Sequence, residues 1–526
     1  MQYKNTLDTL SAFVKQEHEA NIDKLFEVWE TPLSTKLKTG KTQAIQSIKI
    51  EDNKHLTVTL GDNESYFREG DMICFHHGEA STEAFIRQAT IEAEQDGEWL
   101  IRAEYDRDSI KHVVAPCYAD RDVMDLRPFF NKALEDVAAT KNGCDIILPL
   151  LAGDLDASLI YDDNYDAAAD IAELRGFNDP QVDAVAKGVA AKYLACIQGP
   201  PGTGKTAVIG LIAKLLADEG QSILLTSHTH MAINNALNTV AKQGVAVIKV
   251  GANSSIKGLD KSIKQFNHGD DWDDRPDKGY VIGATPFATC SARLDNFDFD
   301  TVIVDEASQI TVALAVMAMR KARRFVFVGD HKQLPPVVLS KSILDSECYS
   351  VFSQLISANQ TVSVMLNQSY RMNAELTYWP SQQYYNGELK SAGKNAQRLL
   401  DLNKAPAQYQ DIFAKNKAFI YIKSPGISAR THSKKEAELV VDLIKTANDC
   451  GIKLCDIGVV SPYRSHGKAI RNLLATKLGI FTAKEVVADT VERMQGQQRE
   501  LIIVSLCSTD LQFIHAIAGF FFRQKD

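Results

Sequence analysis

The chain has 526 residues, 45% of them hydrophobic, enough for several buried cores and roughly three or four units of ordinary domain size. It contains no apolar run long enough to span a bilayer. Its start, Met1-Gln2-Tyr3-Lys4-Asn5-Thr6, lacks the apolar core of a secretion signal, so the expectation is a cytoplasmic protein with no membrane partner. A formal net charge of -9 excludes attraction to nucleic acid by bulk electrostatics, so any such site must be local.

Apolar residues at helical spacing (Leu7, Leu10, Val14, Leu25, Phe26, Trp29) predict an N-terminal helix. From about Ile45 the period changes to that of strands. His55-Leu56-Thr57-Val58-Thr59-Leu60 alternates, Gly61-Asp62-Asn63 interrupts it, and Met72-Ile73-Cys74-Phe75 and Trp99-Leu100-Ile101 follow, which predicts a small β-barrel over the first 115 residues. The run Cys74-Phe75-His76-His77 lacks a second ligand pair and reads as a barrel-edge strand rather than a metal site. Helical segments with acidic faces over 116–176 read as a connector.

Short apolar runs alternating with amphipathic helices begin at Phe177 and predict parallel α/β units. The strands of a first sheet, within 177–358, are Tyr193–Ile197, Ser222–Leu225, Val302–Val304 and Phe325–Val328. A second set, within 359–526, comprises Ala418–Ile422, Ile457–Val460 and Leu501–Ser505, with a helix whose apolar stripe is Leu439, Val440, Leu443, Ile444 and Ala447. The acidic run Asp270-Asp271-Trp272-Asp273-Asp274 reads as a solvated loop. The nine cysteines are scattered, and Cys450 and Cys455 have the wrong spacing for a zinc knuckle or redox pair, which predicts reduced structural thiols.

After the first of these strands comes Gly199-Pro200-Pro201-Gly202-Thr203-Gly204-Lys205-Thr206, which satisfies G-x-x-x-x-G-K-[ST] and opens a helix ending at Gly220. Glycines let backbone N–H groups wrap a phosphate, the helix N-terminus adds a favourable dipole, Lys205 reaches the outer phosphates and Thr206 can hold Mg²⁺. The bland alternative is a glycine-rich turn. Downstream, Asp305 and Glu306 end a strand, where Asp305 can complete the Mg²⁺ shell and Glu306 can polarise water. An ordinary strand entering a turn would also read this way.

These motifs resemble those of the superfamily 1 helicases of the up-frameshift-like group. The resemblance runs through the P-loop, Asp305-Glu306-Ala307-Ser308-Gln309, Gly329-Asp330-His331-Lys332-Gln333-Leu334-Pro335-Pro336 and Tyr370-Arg371-Met372. It continues through Ser461-Pro462-Tyr463 and Thr490-Val491-Glu492-Arg493-Met494-Gln495-Gly496, so it covers about Phe177 to the C-terminus. Trp29-Glu30-Thr31-Pro32-Leu33 and Phe67-Arg68-Glu69-Gly70-Asp71 also look like entry to that group's accessory barrel.

The resemblance implies an α/β fold class of two RecA-like parallel-sheet domains, with an accessory β-barrel and helical connector before them. It also implies ATP hydrolysed with Mg²⁺ between the two sheets, and 5′-to-3′ movement on single-stranded DNA or RNA. Gln181 would read the adenine edge, although a surface glutamine in a capped helix start is the alternative. Tyr370 would stack near the base, Gln333 would sense the γ-phosphate, and Arg371 would reach it from the second sheet unless it forms a structural salt bridge. Strand contacts would come from His228, Thr229, His230, Thr285, Pro286, Ser461, Pro462, Tyr463 and Thr490; alternatively His228 and His230 only cap the helix that follows.

Two departures stand out. The family's Gln-Gly-x-Glu is here Gln495-Gly496-Gln497-Gln498, so an amide at Gln498 replaces a carboxylate near the nucleotide. After Gly519-Phe520-Phe521-Phe522-Arg523-Gln524-Lys525-Asp526 the family pattern continues into a strand and helix with a second arginine, and Arg523 lies too early to match it. The expectation is an incomplete second RecA-like domain, with a protein partner covering its open sheet edge. The leading reading is a strand-stimulated ATPase, leaning to DNA because no cysteine-rich regulatory module is present. Its rival is an ATP-binding switch or clamp with little turnover.

Overall fold

The computed structural model describes residues 3–521 apart from 64, 68–69, 96, 104–112, 341–348, 414–416, 424–428 and 495–496. Parts of two family-like motifs, Arg68-Glu69 and Gln495-Gly496, and the Arg523 comparison therefore lie outside the described residues. The chain divides into two units, Met1–Asn367 and Gln368–Asp526.

The first unit begins with helix α1 (Lys4–Trp29), whose 26 residues span roughly 39 Å. Its apolar face works at two places. Leu10 enters the main core and Phe13 and Val14 pack on Ala313, whereas Leu25 and Trp29 pack on Cys74 and Ala80 of the barrel. The barrel is a closed ring of β1 (Thr42–Ile50), β2 (His55–Leu60), β3 (Met72–His76), β4 (Ala84–Gln95), β5 (Glu98–Arg102) and β6 (Cys117–Arg121), in the order β1-β2-β5-β4-β3-β6. Alternation puts Leu56, Val58, Ile73, Phe75, Trp99 and Ile101 inside.

Two details differ from the sequence reading. β3 pairs with both β4 and β6, so Cys74–His76 is no edge strand. The barrel also runs on to Arg121, because β6 hides Asp120 against the buried Lys36 ammonium, the Thr42 hydroxyl and His76, a set of partners invisible to a hydropathy pattern.

The central feature of this unit is an eight-stranded sheet of β7 (Leu194–Gln198), β8 (Ser222–Thr226), β9 (Ala246–Val250), β10 (Lys264–Phe266), β11 (Tyr280–Gly283), β12 (Thr301–Val304), β13 (Arg324–Gly329) and β14 (Ser363–Met365). Its order is β10-β9-β11-β8-β12-β13-β7-β14, with parallel pairing throughout. The four anticipated strands form its contiguous middle. Both faces are covered, which is why these strands read as unbroken apolar runs. Leu224, Val302, Phe325 and Phe327 face one core; Ile223, Leu225, Ile303, Val326 and Val328 face the other. The helices expected as a connector are built into these layers: Arg127–Ala139 contributes Ala133, Leu134 and Val137 to the first core, and Asp162–Leu174 contributes Ala168 and Ala172 to the second.

The second unit holds a parallel sheet in the order β18 (Val487–Asp489), β17 (Ile457–Val460), β19 (Leu501–Val504), and a short pair, β15 (Gln368–Ser369) with β16 (Lys390–Ser391). The predicted stripe on helix Lys434–Asp449 is present, with Val440, Leu443, Ile444 and Ala447 buried. The predicted strand Ala418–Ile422 is not. Phe419 and Tyr421 are 65% and 78% exposed, and the segment's recorded backbone hydrogen bond runs from Ala418 N–H to the Glu375 carboxylate. A short apolar run makes a strand only when a neighbour supplies the ladder. The fold class is thus α/β, with RecA-like parallel sheets and an N-terminal antiparallel barrel. Among the described residues no helix is long and apolar enough to cross a membrane.

Candidate nucleotide site and strand-facing loops

The P-loop joins β7 to the helix Lys205–Asp218. Gly202 and Gly204 adopt φ of 79° and 87°, where a Cβ is disfavoured. A Cβ on Gly199 would lie 2.2 Å from Lys205 Cγ, and one on Gly204 would lie 2.6 Å from Gln181 Nε2. The glycines therefore make room for two side chains as well as bending the loop. The Lys205 ammonium donates to the Gly199 carbonyl at 2.6 Å, Thr203 Oγ1 donates to the Pro200 carbonyl at 2.8 Å, and half-buried Thr206 follows in the first helical turn. Pro201 completes the loop.

Gln181 is buried rather than on the surface. It occupies the third position of helix Asp179–Ala190 in a capping box: Asn178 Oδ1 accepts from Gln181 N–H at 3.1 Å, and Gln181 Oε1 accepts from Asn178 N–H at 3.2 Å. Its Nε2 donates to the Thr203 carbonyl at 3.0 Å. The glutamine thus ties the helix start to the P-loop, with one amide hydrogen and one acceptor lone pair beyond these bonds.

Asp305 and Glu306 lie at the end of β12, two strands across from β7. Asp305 N–H donates to the Thr226 carbonyl at 2.9 Å, and its Oδ1 accepts from Glu306 N–H at 2.9 Å. Burial first, and the Glu306 charge second, push the Asp305 carboxyl above its usual range, while Lys205 pulls it down. Glu306 has φ 51°, a left-handed conformation that costs a residue with a Cβ on the order of 1–3 kcal/mol and occurs mainly at functional sites.

Gln333 reaches the same cradle through an unanticipated residue, buried Asp330. Its two oxygens accept from Gln333 Nε2 at 2.8 Å and from Gln198 Nε2 at 3.2 Å, and Gly199 N–H donates to the Gly329 carbonyl at 2.8 Å. One carboxylate so fixes the loop after β13 against the residue preceding the P-loop. Asp330 lay in a quoted motif, but no spacing rule marks it.

The loop after β8 carries His228, Thr229 and His230, all exposed. Thr229, not either histidine, caps helix His230–Ala241, accepting from Ala232 N–H at 3.3 Å. Crowding by neighbouring atoms lowers His228 against the opposing pull of the Glu306 carboxylate, while its ring keeps an exposed face. His230 is lowered by crowding from neighbouring atoms first and then by Lys249 and Arg293, a shift that solvent screens because the ring keeps an exposed face. Lys249, also unanticipated, lies wholly buried in β9 with no hydrogen-bond partner for its Nζ among the described residues, and burial lowers it to about 7. Thr285 is half-buried after β11; Pro286 is buried, which leaves Thr285 as the more accessible member of that pair.

The second unit places Tyr370, 42% exposed, and half-buried Arg371 directly after β15. Asn395 Nδ2 donates to the Tyr370 carbonyl and fixes this turn. Ser461 and Thr490 end β17 and β18, linked by the 3.0 Å bond from Ser461 N–H to the Asp489 carbonyl. Both are buried, whereas Pro462 and Tyr463 are half-buried and the Tyr463 ring lies 6.1 Å from Phe513. Gln498 is exposed.

Family models for an AAA domain match residues 176–280 and 274–341, and a second matches 348–524. The human DNA replication ATP-dependent helicase/nuclease DNA2 is 29% identical over 413 residues, 71% of this chain and 38% of its own length. The corresponding protein of Schizosaccharomyces pombe is 30% identical over 361 residues, 63% of this chain and 25% of its own length. The chain belongs to the superfamily 1 helicases of the up-frameshift-like group. As a member of that group it spans well under half the length of these relatives. A solved arterivirus nonstructural protein 10 helicase in complex with DNA covers 86% of this chain and 77% of its own, at 12% identity and a TM-score of 0.36, too low to support a shared arrangement.

Behind the Ser461–Tyr463 loop lies a buried network. Ser505 Oγ donates to Glu436 Oε1 at 2.6 Å, His466 Nε2 lies 2.8 Å from Ser505 Oγ, and Ser433 N–H donates to His466 Nδ1 at 3.4 Å. With the serine proton committed to Glu436, the imidazole donates from Nε2 and accepts at Nδ1, so it is neutral. Burial lowers His466 further. A depressed histidine contributes stability that is complete above the unfolded value of about 6.5 and is lost as pH falls below it, at up to about 1.4 kcal/mol per pH unit. His228 and His230 carry the same sign, so the variant isolates the contribution. His466→Gln is expected to flatten the pH dependence of the urea-unfolding free energy below about pH 6.5. An unchanged slope would mean that this ring does not titrate on unfolding.

Proposed function

We propose that this chain is an ATP-driven motor on single-stranded nucleic acid, moving 5′ to 3′ with DNA as the favoured strand, and that it has two RecA-like domains, whose expected bounds of 177–358 and 359–526 shift to a division after Asn367 because β14 pairs with β7 in the first sheet. The observation that carries this reading is the joining of Lys205, Asp305, Glu306 and Gln333 around one P-loop, with Asp330 tying the sensor loop to the residue before it. The names of the relatives support the helicase class and the choice of DNA.

In this reading the loop amides of 199–206 and Lys205 hold the phosphates of ATP, with Gln181 beside the base and Tyr370 stacking near it. The cradle fits a divalent cation: Asp305 is a buried carboxyl whose pKa is raised until positive charge offsets its burial, and Thr206 supplies a hydroxyl. Mg²⁺ held by Thr206 and Asp305 would neutralise phosphate charge. Glu306 orients the attacking water and takes its proton. Gln333 and Arg371 stabilise charge on the transferring phosphoryl, and Gln498 contributes an amide near the nucleotide. Thr229 and Thr285 hold strand phosphates without reading sequence, while His228, His230, Pro462 and Tyr463 offer flat surfaces to bases. Buried Ser461, Thr490 and Pro286, expected from the sequence as contacts, instead shape the loops that carry them, the N–H groups of Ser461 and Thr490 being taken by Asp489.

Displacement of a labelled strand from duplexes bearing a single-stranded 5′ tail, a 3′ tail or no tail, with DNA and RNA tails compared, tests polarity and substrate. The expected result is ATP-dependent displacement from the 5′-tailed DNA. Displacement confined to 3′ tails would overturn the polarity, and equal or better use of RNA tails the preference. Tight strand binding without turnover would favour a clamp.

A further inference from the structure

The apolar face of α1 is interrupted by one carboxylate. Phe13, Val14, Glu17, His18 and the segment Val337-Val338 line a single cavity of about 190 Å³. Glu17 does not turn away to solvent: its two oxygens accept from Leu339 N–H at 2.8 and 3.1 Å, and one of them accepts from Ser340 N–H at 2.9 Å. Charge-assisted bonds of this kind are roughly twice as strong as neutral ones.

The tethered segment begins at Gln333. Between Gln333 and Leu339 stand Pro335 and Pro336, whose rings fix φ and stiffen the connection. At one end Asp330 ties Gln333 to Gln198, beside the P-loop. At the other end α1 leads to the barrel, where Trp29 Nε1 donates to the Arg121 carbonyl at 2.9 Å and the Arg87 guanidinium lies 4.6 Å from the Trp29 ring centroid. Nucleotide loop, sensor loop, helix and barrel thus form one chain of directional contacts, and Glu17 is its polar joint.

We infer that Glu17 is a positioning residue: it holds the Gln333 loop on α1, so that a change of nucleotide at the P-loop is carried along the helix to the β-barrel. The inference rests on nucleotide binding at the P-loop but not on turnover or strand movement. It acts through Gln333 and touches no nucleotide itself. Coupling of this kind is reciprocal, so a ligand on the barrel should alter nucleotide affinity by the same factor.

Hydrogen exchange of the full chain with and without Mg²⁺ and a non-hydrolysable ATP analogue tests it. In the wild type the analogue should slow exchange at Leu339 and Ser340 and change it in the barrel peptides of β3 and β4. Glu17→Ala should keep analogue affinity within a few fold and lose the barrel response, while Glu17→Gln, which keeps an acceptor oxygen, should retain it. An undiminished barrel response in Glu17→Ala, equal loss in both variants, or no barrel response in the wild type would overturn the inference. If Glu17→Ala fails to fold, Glu17→Leu, which keeps bulk beside Phe13 and Val14 but has no acceptor, takes its place: loss of the barrel response supports the inference and an undiminished response overturns it. Strand-stimulated phosphate release, run in parallel, tests the motor reading separately, since its failure leaves the exchange result standing.

Discussion

Lys205→Ala is expected to lower strand-stimulated phosphate release by at least about 10²-fold, the order lost when a preorganised electrostatic donor is removed from a transition state. The ammonium is half-buried and bonded to the Gly199 carbonyl in the loop that would receive phosphate, so its removal takes charge from the cradle without opening a core. Folding should be unaffected: the melting temperature should stay close to wild type. Gly199→Ala should reproduce the loss, because a Cβ there falls 2.2 Å from Lys205 Cγ and must displace that side chain. Wild-type turnover in Lys205→Ala would remove the P-loop from the mechanism.

Arg371→Ala carries the second large effect. An arginine that stabilises the transferring phosphoryl is worth on the order of 10³-fold or more in kcat. The side chain follows β15 in a turn pinned by Asn395, next to the exposed Tyr370 ring. Nucleotide affinity should remain within a few fold of wild type while kcat collapses, and Arg371→Lys should not rescue it, because an ammonium lacks the planar fork of guanidinium. Unchanged kcat together with a lowered melting temperature would instead identify a structural arginine.

Much of the first unit was legible in the sequence because its chemistry is local. The P-loop needs glycines at fixed offsets around one lysine, and buried parallel strands need unbroken apolar runs; both leave linear signatures. The capping box at Asn178 and Gln181 was visible as a helix start, but the bond from Gln181 to the Thr203 carbonyl was not, since it joins residues far apart in sequence. Asp330, Lys249 and Glu17 were missed for the same reason: each is an ordinary charged residue until the fold brings its partners, or leaves it without them. Ala418–Ile422 erred in the opposite direction. Its apolar run is real, yet among the described residues no neighbouring strand supplies a ladder, and Phe419 and Tyr421 remain in solvent. β6 was overlooked because Asp120 looks too polar for a barrel until Lys36, Thr42 and His76 are seen around it.

The central claim is that the cradle around Lys205 burns ATP in response to a strand. Phosphate release by the full chain with Mg²⁺ and ATP, measured with no strand, with single-stranded DNA and with single-stranded RNA, tests it most directly. The account predicts slow release alone and a clear, saturable increase with single-stranded DNA. Normal strand binding with no turnover in any of the three conditions would contradict it.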